Sequence, residues 1–119
     1  MAIPEKVKKK LEKLSRMKAC ECCNTTAGKI EWNHALFYAG RQIQETYAIR
    51  ALCVEHHRGN NGTIHRRADV ICNINAIKEG LKHLKRNYPK MNWEQELRRY
   101  HYELDKLDEL LRAQLNGHV

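Results

Sequence analysis

Two residue pairs at metal-ligand spacing carry the clearest chemistry in this 119-residue chain. Cys20-Glu-Cys22-Cys23 contains a Cys-x-x-Cys, and Cys53-Val-Glu-His56 supplies a Cys-x-x-His after a 29-residue insert. A two-residue gap forms a tight turn from which both side chains reach one ion, and three thiolates with one imidazole suit tetrahedral Zn²⁺. The pattern predicts a structural zinc on Cys20, Cys23, Cys53 and His56. Asn24, just after the first pair, can take the left-handed backbone that such a knuckle needs. Two register alternatives stay open: Cys22 in place of Cys20 or Cys23, and His57 in place of His56. Cys72 lies in an apolar helical pattern and reads as core. Ordinary buried cysteines are the plain alternative, yet small domains commonly need a metal staple.

The insert is longer than a plain zinc ribbon requires. Lys29-Ile-Glu-Trp-Asn-His34 reads as a strand ending in histidine, followed by a loop with Gly40 and Arg41. A second strand, Tyr47 to Cys53, leads into Val-Glu-His56-His57-Arg-Gly-Asn-Asn61-Gly. Trp32-Asn33-His34-Ala35-Leu36 and Leu52-Cys53-Val-Glu-His56-His57, with the Cys-x-x-Cys upstream, resemble the HNH endonucleases of the ββα-metal, or His-Me finger, superfamily. The zinc-stapled, phage-type members are the nearest in pattern. The resemblance spans about Cys20 to His65, and its ordered combination is more specific than any single piece. It implies that His34 is the general base and that His57 ligates a catalytic divalent metal, Mg²⁺ or Mn²⁺, with Zn²⁺ as an alternative. Asn33 falls where the family commonly has an aspartate or another metal ligand, and Ala48 where a middle asparagine is expected. Asn61 and His65 are the nearest residues that could complete the metal site.

The chemistry asks for the same inventory. Phosphodiester hydrolysis needs a base of near-neutral pKa, an ion to stabilise charge growing on the phosphoryl group and the leaving oxygen, and a surface that holds phosphate. Histidine suits the first role. Arg41, Arg58, Arg66 and Arg67 are candidate phosphate contacts, although any single arginine can equally be a solubilising surface charge. The expected function is a metal-dependent DNA endonuclease. The departures at Asn33 and Ala48 support an alternative, a catalytically inactive zinc-stapled DNA-binding module.

Helices must position these groups. Val7, Leu11 and Leu14 recur at helical spacing after Pro4, predicting a helix over 3–18. Val70, Ile71, Ile74, Ile77, Leu81 and Leu84 predict a second, over 66–86, broken by Asn87-Tyr-Pro89. Asn92 and Gln95 resemble a capping box, and Trp93, Leu97, Tyr100, Leu104, Leu107 and Leu111 form a heptad-like stripe over 92–115. That stripe can dimerise, dock on a partner protein, or pack on the chain's own domain; the last is slightly favoured, given the small core. The expected architecture is α+β: one HNH nuclease domain over 1–119, with a zinc-stapled ββα-metal core at about 20–65 and helical flanks.

Charge frames this core. The formal net charge is +8, with +5 in residues 1–18, +4 in residues 66–86 and zero in the metal-rich middle. A basic frame around a neutral centre favours a polyanionic partner, expected to be DNA. The longest apolar run, Ala35 to Ala39, is five residues, against the ~20 that a membrane-spanning helix needs. No membrane association is expected, and the charged N-terminal residues suggest a reducing, cytoplasmic setting, in a bacterial host cell if the chain is phage-type.

Overall fold

The computed structural model describes residues 3–59 and 62–116. It is an α+β structure of four helices and two small antiparallel sheets among the described residues. Strand β1 (Ile30–His34) pairs with β4 (Ile49–Cys53), Ile30 opposite Cys53 and His34 opposite Ile49. Between them lies a hairpin of β2 (Phe37–Tyr38) and β3 (Arg41–Gln42), turned at Ala39 and Gly40, whose φ angles are 52° and 78°. Positive φ at both central residues gives the turn the hand that matches twisted strands.

Both faces of β4 are covered, because alternate residues point to opposite sides. Ile49 and Ala51 pack on Leu11 and Met17 of the N-terminal segment, with Ile30 and Trp32 of β1 beside them. Leu52, and Ala48 just before the strand, face the larger cluster built on helix α3 (Gly62–Asn87). On that helix Ala68, Cys72, Ala76 and Gly80 recur every four residues and are all buried. Small side chains at this period allow close approach to the strands. Val70 and Ile74 instead meet Leu107 of helix α4 (Trp93–Asn116).

The two long helices form an antiparallel hairpin. Asn92 caps α4, its side-chain oxygen accepting the Gln95 N–H at 3.0 Å, as the sequence predicts. The Trp93 indole N–H donates to the Tyr88 carbonyl at 3.0 Å and locks the connection. The stripe from Trp93 through Leu107 packs on the chain's own α3 cluster.

Three boundaries differ from the sequence reading. Helix α3 begins at Gly62, four residues before the expected start, because its first turns are polar and carry no apolar period. The N-terminal helix divides into α1 (Glu5–Glu12) and a 3-10 turn over Ser15–Lys18, with extended Leu14 between them. The break turns Arg16 inward, where its guanidinium donates to the Thr46 and Ile49 carbonyls at 2.6 and 2.9 Å. Those bonds offset the helical turn given up. Residues 46–48 form a second 3-10 turn, and the strand starts only at Ile49.

Candidate functional site

The knuckle forms as its residues require. Asn24 sits at φ 63°, donating its N–H to the Cys20 carbonyl at 2.7 Å, while the Cys20 N–H donates to the Thr25 carbonyl at 2.9 Å. The Glu21 N–H donates to the Ala51 carbonyl, tying the loop to β4. Opposite it, Cys53 ends β4 and precedes helix α2 (Val54–Arg58), so His56 is carried round by the first turn. Cys20, Cys23, Cys53 and His56 place their ligand atoms within 4.8 Å of one another. Cys23 and Cys53 sulfurs are 4.0 Å apart, and His56 Nδ1 lies 3.7 Å from Cys20 Sγ and 3.2 Å from Cys53 Sγ. A zinc tetrahedron has S···S and S···N edges of about 3.8 and 3.5 Å, given its bond lengths. The four residues could hold a metal such as zinc.

The thiols of the cluster act on one another's ionisation. The Thr25 N–H stabilises the Cys23 thiolate, yet desolvation and the Cys20 and Cys53 sulfurs together push its pKa up to about 11. Crowded thiols resist joint ionisation unless a cation neutralises them. Cys22 stands outside the cluster, its sulfur 3.5 Å from Arg67 Nη1. Cys72 is fully buried, and burial raises its thiol pKa.

Beneath the knuckle lies a group the sequence did not flag. Arg50, 5% exposed, donates to Glu21 at 2.5–2.8 Å and to Glu79 at 2.8 Å, and Asn75 donates to Glu21 at 2.9 Å. The carboxylate beside Cys20 is thereby anchored through β4 to α3. Arginine in an apolar strand was the only available signal.

His34 ends β1 and lines a cavity of about 390 Å³ between the strand end, α3 and the start of α4. Asn33, Arg66, Asp69, Asn73 and Glu96 share the lining. Among the described residues the buried His34 Nε2 has no hydrogen-bond partner, and neither has either amide atom of Gln44. Burial lowers the His34 pKa, against an opposing contribution from Gln44. Burial thus favours the neutral imidazole. Position 48 holds the adjacent loop by its backbone: the Ala35 N–H donates to the Ala48 carbonyl at 2.8 Å.

His57 is elsewhere. It lines a separate groove with Lys29, Ile30, Glu31, Trp32 and Arg58. Its Nδ1–H donates to Glu31 Oε1 at 2.8 Å, and Arg58 forms an ion pair with the same carboxylate. These two partners hold the Glu31 pKa down at about 2. His65 lies one turn from Asp69, Nε2 to Oδ2 3.6 Å. Asn61 lies outside the described residues. Of the three described residues expected to hold a catalytic ion, Asn33 lines the His34 cavity, His65 lies against Asp69 of that cavity, and His57 is apart in its own groove. Of the four arginines, Arg58, Arg66 and Arg67 are engaged by Glu31, Glu103 and Asp108. Arg41 is exposed and has no ion-pair partner among the described residues.

Asp69 and Asn73 in the cavity were missed by sequence reading. The available signal was a polar pair one turn apart inside an apolar helix. Among the described residues no helix is long and apolar enough to cross a membrane. Comparison with protein-family models, curated proteins and solved structures gives no match to this chain.

Proposed function

We propose that the chain is a metal-dependent endonuclease hydrolysing DNA phosphodiesters, with His34 as general base and a structural zinc on Cys20, Cys23, Cys53 and His56. The observation that carries the reading is His34 at a polar cavity, its Nε2 without a hydrogen-bond partner among the described residues and its ring biased by burial toward the neutral form. His34 takes a proton from water as the water oxygen bonds to phosphorus. The P–O3′ bond breaks, the departing oxygen is protonated from solvent, and 5′-phosphate and 3′-hydroxyl ends result. A divalent ion, when bound, supplies positive charge for the phosphoryl oxygens. The +8 charge supports a polyanionic substrate. Arg41 and the 56%-exposed Phe37, which lines the same cavity, offer a cation and an aromatic face to the strand.

A second reading, a zinc-stapled DNA-binding module without catalysis, is favoured by the confinement of His57 with Glu31 and Arg58 away from His34. Supercoiled plasmid separates the two. Wild type with Mg²⁺ or Mn²⁺ is expected to nick it, and His34→Ala to bind without nicking. Absence of nicking with either metal, or equal nicking by His34→Ala, refutes the nuclease.

A further inference from the structure

A neutral imidazole carries its proton on one ring nitrogen and accepts with the other, and the partner of the protonated nitrogen sets which is which. Of the two nitrogens of His34, only Nε2 is a buried atom without a hydrogen-bond partner among the described residues. The Gln44 amide nitrogen and oxygen are buried and unpartnered in the same way. Buried polar atoms left unanswered are costly, and these two groups are complementary.

The backbone brings them together. The Ala35 N–H donates to the Ala48 carbonyl at 2.8 Å, and the Ile43 N–H donates to the Leu36 carbonyl at 3.0 Å. Residues 43–48 are therefore tied at both ends to the two residues that follow His34, and Gln44 lies between the ties. Ile43, Tyr47 and Ala48 are buried in one cluster with Ala35 and Leu36, which fixes the segment further. The effect of Gln44 on the ring has a sign: burial lowers the His34 pKa, and hydrogen bonding by the Gln44 side chain opposes it. An acceptor oxygen stabilises an imidazole N–H and raises the pKa, whereas an amide N–H aimed at the ring lone pair lowers it. Gln44 therefore presents its oxygen to the ring.

We infer that the Gln44 amide closes on the His34 ring, Oε1 accepting the Nε2–H, and so fixes the Nε2–H tautomer and leaves Nδ1 as the proton acceptor. Gln44 is thus a positioning residue that acts through the ring and exchanges no proton itself. Only the use of Nδ1, as the atom that takes a proton from water, rests on the nuclease reading. The tautomer is measurable without any cleavage.

The readout is the ring itself. In nitrogen-labelled, zinc-loaded full-length chain, long-range proton–nitrogen correlations from the carbon-bound ring protons show which nitrogen is protonated, at a pH where the ring is neutral. His34→Ala identifies the signals. Wild type is expected to show a single tautomer, Nε2 protonated and Nδ1 bare. Gln44→Met, similar in size but without the acceptor, should release the ring, so that both nitrogens move to tautomer-averaged values; Gln44→Glu, which keeps an acceptor oxygen, should retain the Nε2–H. Gln42→Met is the control, because Gln42 Oε1 is also buried without a partner; it should leave the wild-type pattern. On plasmid, Gln44→Met should slow nicking at least about tenfold with DNA affinity within about twofold, inside the ~10²–10⁴ that a general base supplies. Nδ1 protonated in wild type, an unchanged ring in Gln44→Met, or averaging produced by Gln42→Met instead overturns the inference. A Gln44-dependent Nε2–H in a chain that leaves plasmid intact upholds it and refutes the nuclease; His34-dependent nicking with a ring indifferent to Gln44 does the reverse.

Discussion

Gly80→Ala tests the close fit of α3 on the 46–48 turn. A Cβ at Gly80 would lie 2.3–2.5 Å from three atoms of the Tyr47 ring, where ordinary contact begins at 3.4 Å. The ring must retreat by about 1 Å, a displacement a packed interior resists. Tyr47 is 7% exposed, and its hydroxyl shares a 2.8 Å hydrogen bond with His83 Nδ1. Overpacking of this kind costs about 1–3 kcal/mol and the strained hydrogen bond about 1 kcal/mol. Opposing them, alanine is better than glycine inside a helix by about 1 kcal/mol. The net expectation is a loss of about 1–3 kcal/mol, read as a lower urea midpoint of zinc-loaded protein with an unchanged slope. In a Tyr47→Ala background only the helix preference remains, so the same substitution should stabilise by about 1 kcal/mol. If Gly80→Ala raises the midpoint in the wild-type background, or its sign does not reverse without the ring, the packing argument fails.

Other outcomes follow from the same contacts. Cys53→Ala should release the metal from purified protein and lower stability, and metal analysis beside thermal unfolding reads both effects. Arg50→Met leaves the Glu21 carboxylate, 11% exposed, facing a neutral side chain; the loss should be about 3–5 kcal/mol, and smaller when Glu21→Gln is added, as denaturant titration would show. For His34 the lowered pKa gives a sign: the base is protonated only at acid pH, so nicking should fall with an inflection below 6.5 and stay flat above it. An inflection above 6.5 contradicts that environment. Glu31 runs the other way from a raised group. Its folded pKa of about 2 lies below the ordinary 4.5, so its contribution is full above 4.5 and is lost as pH falls toward 2. Glu31→Gln should flatten that part of the acid-unfolding curve.

The Cys20, Cys23, Cys53 and His56 cluster, which could hold a metal such as zinc, was legible because its chemistry is local. Two-residue gaps fix which side chains turn together, and Asn24 needs no distant partner to reach φ 63°. The cap at Asn92 and the apolar stripes of α3 and α4 were legible for the same reason. The sequence also bounded the class of chain: basic, with no run able to span a bilayer as a helix. Tertiary structure decided what depends on distant residues meeting. Arg16 ended the first helix by bonding carbonyls at Thr46 and Ile49. Arg66 and Arg67, readable as phosphate contacts, are engaged by acids 37 and 41 residues away. The separation of His57 from His34, and the presence of Asp69 and Asn73 in the cavity of the latter, depend on how the helices pack around the strands. Spacing along a chain prescribes which neighbours can share an ion, but only packing decides which histidine faces which carboxylate.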